Sequence, residues 1–195
     1  MAIKHKIKNF MGFWKLSDTT ICDDYINYFI DNPHRQHKGS TTATNNVKQS
    51  TDITFSPNER LPFAQKYFNE IREMVNDYIT EYPYCNIGSP WGINSNYNLQ
   101  YYKPGESFWG WHSERITSND FVSKRMLVFM TYLNDVYDGG ETEWHHQNLK
   151  VKPKKGKTVI WPVDWTYTHR GIPSPTQEKY IITGWFNYLN MDELQ

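Results

Sequence analysis

The stretch NLQYYKPGESFWGWHSE, residues 98–114, carries the features that decide the fold. It begins with a β-type run at 98–102, turns at Lys103-Pro104-Gly105, and ends with a histidine and a glutamate two positions apart. Four further β-type runs follow, each bounded by turn residues. They span residues 126–133, 158–161, 167–170 and 180–186. Strands at this density predict a β-sandwich or a small barrel.

Two helices are predicted ahead of these strands. Residues 16–31 begin with Ser17 and Asp18 as candidate N-caps, and residues 61–79 form a second run with apolar side chains at helical spacing. The polar residues 34–60 between them are expected to form a long loop, which could act as a lid. We therefore expect one α+β domain over 1–195, with a helical N-terminal buttress (1–90) and a β core (91–190).

The composition narrows the class of protein. A chain of 195 residues suits one domain with a sizeable core. Its 21 basic and 21 acidic residues cancel, so nucleic acid is an unlikely partner and no membrane partner is expected. The lysine-rich run at 150–157 is expected to be a solvated turn.

The sequence also predicts the cellular compartment in which the protein is located. No segment approaches the roughly 20 apolar residues of a membrane span, and the first 14 residues lack the apolar run of a signal peptide. Cys22 and Cys85 are too few to form a disulfide framework. A reducing cytoplasm is therefore the expected location.

A metal site is predicted from three residues. His112 and Glu114 stand at i and i+2, so an extended chain points both side chains to one face. His169, in a later β-type run, supplies a candidate third ligand. Two histidines and one carboxylate form the facial triad of non-haem iron(II) enzymes, which leaves metal positions open for other ligands. Taken alone, a histidine near a glutamate is more often a plain surface pair.

Lys179 is the candidate partner for an anion near that site. It follows His169 by ten positions, across the turn-rich segment 171–177. A hairpin reversing near Ser174 would make His169 and Lys179 cross-strand neighbours. Alternation then places Ile181, Thr183 and Trp185 on the face of the lysine, as the wall of a small-acid pocket or as an ordinary core stripe.

Other histidines and tryptophans leave alternatives open. His145 and His146 are expected to be loop residues, although they could line an entrance or serve as substitute ligands. Four tryptophans could form a platform for a substrate ring, or could belong to a β core rich in large side chains. They are Trp109, Trp111, Trp144 and Trp165.

The region 98–188 resembles the catalytic core of the prolyl-hydroxylase-like branch of the iron(II)/2-oxoglutarate oxygenases. Six blocks occur in the family's order. They are QYYKPG at 100–105, WHSE at 111–114, RMLVFMTYLN at 125–134, GGET at 139–142, VKPKKGKTV at 151–159, and the group His169, Lys179 and Trp185. The region 98–188 covers nearly half of the chain.

The resemblance implies a double-stranded β-helix, a distorted jelly roll, over 91–190, buttressed by the N-terminal helices. It implies that His112, Glu114 and His169 ligate Fe(II) and that Lys179 pairs with the distal carboxylate of 2-oxoglutarate. Cosubstrate contacts are implied for four more residues, Tyr102, Tyr132, Thr183 and Trp185. The chain departs from the family at Glu114, where the family usually has aspartate.

The activity implied is hydroxylation of an unactivated C–H bond of a peptidyl, prolyl-like or free amino-acid substrate. Dioxygen and 2-oxoglutarate would be the cosubstrates, and ascorbate could keep the iron reduced. Two other classes stay open. One is a jelly-roll binding module without catalysis; the other is a metal enzyme that does not use 2-oxoglutarate, for which Lys179 would be dispensable.

Overall fold

The computed structural model describes residues 3–40, 46–116 and 120–190. The helices are α1 (Thr20–Asp31), α2 (Pro62–Glu81) and the single-turn α3 (Asp120–Ser123). The strands are β1 (Ile3–Lys8), β2 (Met11–Lys15), β3 (His37–Lys38), β4 (Thr51–Phe55), β5 (Trp91–Gly92), β6 (Tyr97–Tyr102), β7 (Arg125–Tyr132), β8 (Thr142–Trp144), β9 (Leu149–Val151), β10 (Lys157–Pro162), β11 (His169–Gly171) and β12 (Lys179–Tyr188).

The strands form a major and a minor antiparallel sheet. The major sheet has the order β1-β2-β10-β7-β12-β6-β4-β3, and β5 pairs with β12. The minor sheet has the order β11-β8-β9. A cluster that includes Met130 and Ile181 of the major sheet and Trp144 of the minor sheet packs the two together. Two packed sheets with helices on one outer face make a double-stranded β-helix, which confirms the predicted fold class.

The helices cover the outer face of the major sheet. Tyr25 of α1 and Tyr67 of α2 are fully buried there, in one cluster with Leu99, Phe129 and Ile182 of the sheet. Each of these apolar strand residues alternates with a neighbour on the opposite face. The side chains of the outer face therefore form the main hydrophobic core with the helices, and those of the inner face line a cavity.

The five predicted strands are present, as β6, β7, β10, β11 and β12, but β11 begins only at His169, because Trp165–Tyr167 form a 3-10 turn. The two predicted helices are also present; α1 begins only at Thr20, whose backbone N–H donates to the Asp18 carboxylate at 3.0 Å. The interpretation of 34–60 as a long loop is wrong at β4. This strand pairs with β6 and buries Ile53 and Phe55 against the helices. Polar residues alternate with the apolar residues of this strand, so the sequence of the segment indicates a loop.

The N-terminal 90 residues are also more than a helical buttress. Strands β1 and β2 extend the major sheet through the pairing of β2 with β10. The predicted hairpin between His169 and Lys179 is wrong as well. β11 pairs with β8 in the minor sheet, whereas β12 pairs with β6 and β7 in the major sheet. The turn-rich segment between them crosses from one sheet to the other.

None of the helices in the described part of the chain is both long enough and apolar enough to cross a bilayer.

Candidate metal centre

His112, Glu114 and His169 lie together at one side of the cavity. Glu114 Oε1 is 3.6 Å from His112 Nε2 and 3.4 Å from His169 Nε2. The three ligand atoms all lie within 4.8 Å of one another. The structure therefore brings together the three residues that the sequence predicted as metal ligands.

Backbone pairing fixes the two histidines relative to each other. The His112 N–H donates to the His169 carbonyl at 3.0 Å, and the His169 N–H donates back to the His112 carbonyl at 2.8 Å. The Glu114 N–H donates to the Val163 carbonyl at 3.0 Å, next to the end of β10. Main-chain hydrogen bonds therefore hold the backbone segments that carry the three ligands, which limits the movement of the ligand side chains.

The outer ring nitrogens of both histidines are also held. His112 Nδ1 lies 2.8 Å from the Gly110 carbonyl, and His169 Nδ1 lies 2.9 Å from the Tyr167 carbonyl. A carbonyl only accepts, so each Nδ1 carries the proton and each Nε2 keeps its lone pair for a metal. The Phe108 ring stacks on His112 with centroids 3.6 Å apart.

The second oxygen of Glu114 has its own donors. Trp185 Nε1 donates to Oε2 at 3.0 Å, and Arg125 Nη1 lies 3.4 Å from the same atom. The Arg125 guanidinium stacks over the Trp185 ring at 3.7 Å. Oε1 is therefore left for the histidines and a metal, while Oε2 is held by side chains. Sequence reasoning missed Arg125, because an arginine at the start of a strand gives no signal of its partner.

The electrostatics suit a metal ligand set. Burial disfavours the charged form of Glu114, but the neighbouring His112 and His169 outweigh that effect and hold its pKa well below the usual range. Burial, together with the neighbouring His112, lowers the pKa of His169. An anionic carboxylate beside neutral imidazoles is the form that binds a metal ion. The donor set therefore fits the facial triad of iron(II).

A cavity of about 500 Å³ adjoins the triad, and the inner face of the major sheet forms its floor. Lys179, 4% exposed, lies in this cavity. Its ammonium donates to the Gly140 carbonyl at 3.1 Å and lies 4.9 Å from the centre of the Tyr102 ring. Burial lowers the pKa of Lys179 to about 8, and Glu141 opposes that shift. A buried ammonium whose direct contacts, a carbonyl and an aromatic ring, are neutral attracts an anion.

The glycine pair of the GGET block explains the position of that carbonyl. Gly139 and Gly140 have φ of 73° and 77°, a conformation that other residues adopt with difficulty. A Cβ on Gly139 would lie 2.6 Å from the Pro173 carbonyl oxygen. The turn therefore requires glycine, and it places the Gly140 carbonyl against Lys179.

The other predicted cosubstrate residues separate into two groups. Tyr102, Thr183 and Trp185 line the cavity. Tyr132 does not line it in the described structure, because its hydroxyl donates to Thr142 Oγ1 at 2.7 Å and lies 3.2 Å from the Val151 carbonyl. Thr142 lines the cavity where the resemblance to the family implied a contact from Tyr132.

The remaining hypotheses from the sequence concern other histidines, the tryptophans and the lid. His145 and His146 are exposed and lie outside the ligand cluster. The four tryptophans do not form one platform, because Trp144 is fully buried. Trp109, Trp111 and Trp165 are exposed. The lid hypothesis concerns a segment whose residues 41–45 lie outside the described residues, and it stays a hypothesis.

The lysine-rich run is largely neutralised by carboxylates. Lys154 pairs with Asp135 at 3.3 Å, and Lys155 pairs with Asp23 at 2.6 Å. Lys150 pairs with Glu143. These pairs are typical of a solvated turn.

Residues 97–187 match the family model described as the 2OG-Fe(II) oxygenase superfamily. The chain is 30% identical over 93 residues to a probable prolyl 4-hydroxylase 9 of Arabidopsis thaliana. That alignment covers 36% of this chain and 32% of the plant protein, so the chain spans only about a third of this relative's length.

Solved structures have a similar fold over more than nine-tenths of this chain. The viral collagen prolyl hydroxylase of Paramecium bursaria Chlorella virus 1, solved with 2OG, has a TM-score of 0.71 at 22% identity and covers 93% of this chain and 97% of its own. A Trichoplax adhaerens prolyl hydroxylase, solved with a hypoxia inducible factor peptide fragment, has a TM-score of 0.71 at 16% identity, covering 93% and 84%. Residues 97–187 therefore resemble a 2OG-Fe(II) oxygenase domain, and the fold of the chain resembles that of the solved prolyl hydroxylases.

Proposed function

We propose that the chain is an Fe(II)- and 2-oxoglutarate-dependent dioxygenase that hydroxylates an unactivated C–H bond of a peptidyl, prolyl-like or free amino-acid substrate. One observation carries the proposal. A histidine–glutamate–histidine cluster and a buried lysine line the same cavity. The first group suits a metal with open positions, and the second suits a carboxylate.

The roles of the site residues follow from their positions. His112, Glu114 and His169 would hold Fe(II), and Lys179 would bind the distal carboxylate of 2-oxoglutarate. When bound, these groups supply the reduction of dioxygen, in which 2-oxoglutarate yields succinate and carbon dioxide and a substrate C–H becomes C–OH. Ascorbate could keep the iron reduced between turnovers.

The protein residues contribute orientation and exclusion of water. Arg125 and Trp185 hold Glu114 by its second oxygen, so the first oxygen keeps one direction. Trp144 and Trp161 flank His169 at ring distances of 5.9 and 5.2 Å and shield it from solvent. Tyr102 and Thr183 complete the wall on which the cosubstrate would lie. Preorganised ligands of this kind cost little further ordering when the reaction begins.

The substrate class rests on two supports. The relatives and neighbours are described as prolyl hydroxylases, and the Trichoplax adhaerens protein was solved with a peptide. In this chain, Trp111 is 42% exposed and its ring lies against Arg170 outside the cavity, so an apolar ring of a peptide could rest on this surface.

The first experiment is anaerobic mixing of the purified protein with Fe(II) and 2-oxoglutarate. The expected result is a weak visible metal-to-ligand charge-transfer band that is lost in His112→Ala and weakened in Lys179→Ala. His34→Ala and Lys66→Ala, at exposed positions away from the cavity, are the matched controls and should keep the band.

Other outcomes would support the alternatives. Bound iron without a band would indicate a metal enzyme that does not use 2-oxoglutarate. Absence of bound iron would indicate a jelly-roll binding module. Hydroxylated product from a peptide and amino-acid panel, detected by mass spectrometry with succinate release, would then identify the substrate.

Domain organisation and compartment are part of the proposal. We infer one domain over 1–195, because strands from both 1–90 and 91–190 enter the same major sheet. A single cooperative thermal transition would be its signature. A reducing cytoplasm is supported by the unpaired Cys22 and Cys85. Fractionation of the source cells tests this point.

A further inference from the structure

Two carboxamides lie side by side on the cavity floor and are not among the residues proposed to contact the cosubstrate. Asn98 and Gln100 stand at i and i+2 on β6, and both line the cavity. Gln100 is 8% exposed, so its amide is almost wholly removed from bulk water. A buried primary amide normally has partners for both its oxygen and its nitrogen.

Each amide oxygen is held by a hydroxyl group. Tyr102 donates to Gln100 Oε1 at 2.7 Å, and Thr54 donates to Asn98 Oδ1 at 2.7 Å. His37 Nε2 lies 3.1 Å from the same Thr54 hydroxyl and orients it. In the part of the chain that the structure describes, no acceptor is bonded to Asn98 Nδ2 or Gln100 Nε2. Both NH₂ groups are therefore donors available to a ligand in the cavity.

The surroundings of these donors are neutral overall. Asp52, the cross-strand partner of Gln100, accepts from Lys48 Nζ at 2.8 Å and from Ser50 Oγ at 2.7 Å. Lys48 and Asp52 are both buried, so their charges cancel at short range. A free carboxylate on the floor would be attracted by Lys48 and repelled by Asp52. A neutral carbonyl oxygen suits the two NH₂ groups better.

The spacing of the two residues along β6 favours one backbone conformation of a peptide ligand. Alternate residues of a strand are about 6.6 Å apart, and so are the carbonyls on one side of an extended peptide. A polyproline II peptide repeats its carbonyl direction only every third residue, about 9.3 Å along its axis. The β6 register also places Thr183 beside Asn98 and Ile181 beside Gln100, so the pair adjoins the strand that ends at Lys179.

We propose that Asn98 and Gln100 form a substrate subsite that binds two backbone carbonyls, two residues apart, of a β-extended peptide. This inference rests on the proposed function. It identifies the primary substrate as a peptide segment and not a free amino acid, and the two amides as specificity-determining residues beside the cosubstrate.

The test is peptide binding by calorimetry to anaerobic protein mixed with Fe(II) and 2-oxoglutarate. The probes are a capped heptapeptide with one central proline among valine and threonine, a capped heptaproline, and free L-proline. Asn98→Asp replaces a donor with an acceptor, and Gln100→Met removes the donors without adding charge. Asn69→Asp and Gln65→Met, exposed on α2, are the matched controls.

The wild-type protein should bind the capped heptapeptide most tightly. Each cavity variant should weaken that binding about three- to tenfold, the usual value of one hydrogen bond, and the α2 controls should not. Circular dichroism and the charge-transfer band serve as checks that the variants fold and bind cosubstrate.

Three results would overturn the proposal. They are tightest binding of heptaproline or free proline, binding of none of the probes, and heptapeptide binding that Asn98→Asp and Gln100→Met leave unchanged. Absence of the charge-transfer band in wild type would instead contradict the proposed function. Calorimetry is carried out whether or not the band appears, so a failure of the subsite proposal can be distinguished from a failure of the proposed function.

Discussion

The two faces of the major sheet are built from the same strands and differ in almost every property. On β12, Ile182 and Phe186 point outward into the helix-covered core, whereas Lys179 and Thr183 point into the cavity. Burial of each outer side chain stabilises the fold by roughly 1.5–3 kcal/mol. Burial of the Lys179 ammonium costs free energy unless it is paired. One face therefore provides stability, and the other places polar groups that a ligand can satisfy.

Lys179→Met should produce the largest effect and should separate the two faces. The variant lacks the ammonium that would pair with the carboxylate of 2-oxoglutarate. The dissociation constant for 2-oxoglutarate is expected to rise by about 100-fold or more, because deletion of one partner of a buried ion pair costs several kcal/mol of interaction free energy. The same change should stabilise the cosubstrate-free protein, since a desolvated cation disappears. Titration of the charge-transfer band and thermal unfolding measure the two effects.

The pH dependence provides the control for that variant. The pKa of Lys179 is about 8 in the folded protein and 10.5 in an ordinary lysine. Between these values the unfolded chain binds more protons, so the contribution of Lys179 to the free energy of unfolding rises with pH, by about 3 kcal/mol in all. Affinity for 2-oxoglutarate should fall as the pH rises above 8. A wild-type profile as flat as that of Lys179→Met would contradict this account.

Trp185→Phe should have an intermediate effect and sharpens the comparison within the cavity face. The variant keeps a ring beneath Arg125 but loses the N–H that donates to Glu114 Oε2 at 3.0 Å. Loss of such an outer partner typically lowers metal affinity by about 10- to 100-fold. The apparent dissociation constant for Fe(II) measures the effect. Trp165→Phe, at an exposed position, is the control, and equal iron affinity in both variants would mean that Trp185 does not position Glu114.

The sequence predicted the metal ligands because they leave a local signature. A histidine and a glutamate at i and i+2 share a face in any extended chain, so His112 and Glu114 could be paired without the fold. His169 required the resemblance to the family, since a lone histidine in a β-type run does not identify its partner. The backbone pairing of His112 with His169 explains how residues 57 positions apart reach one site.

Other features depend on register, which the sequence does not state. The resemblance implied a cosubstrate contact for Tyr132, but Thr142 lies between the Tyr132 hydroxyl and the cavity. Strand β4 escaped prediction because a buried apolar face alternates with Asp52 and Thr54, which line the cavity. Arg125 has no recognisable pattern at all. In each case the missing information is the identity of the side chain opposite, which only the packed sheets supply.

Tyr67→Phe should produce the smallest effect and tests the other side of the comparison. The Tyr67 hydroxyl lies 2.9 Å from Thr131 Oγ1, which lies 2.7 Å from Thr158 Oγ1, so it joins α2 to two strands of the major sheet. Deletion of this hydroxyl should lower the free energy of unfolding by about 1 kcal/mol, because Thr131 keeps its second partner. Chemical denaturation measures the loss, while iron and 2-oxoglutarate affinities should equal those of wild type. A weaker charge-transfer band at full folding would show that the helix-covered face also controls the cavity, because Thr131 directly follows the cavity residue Met130 on β7. The two faces could then no longer be treated as independent.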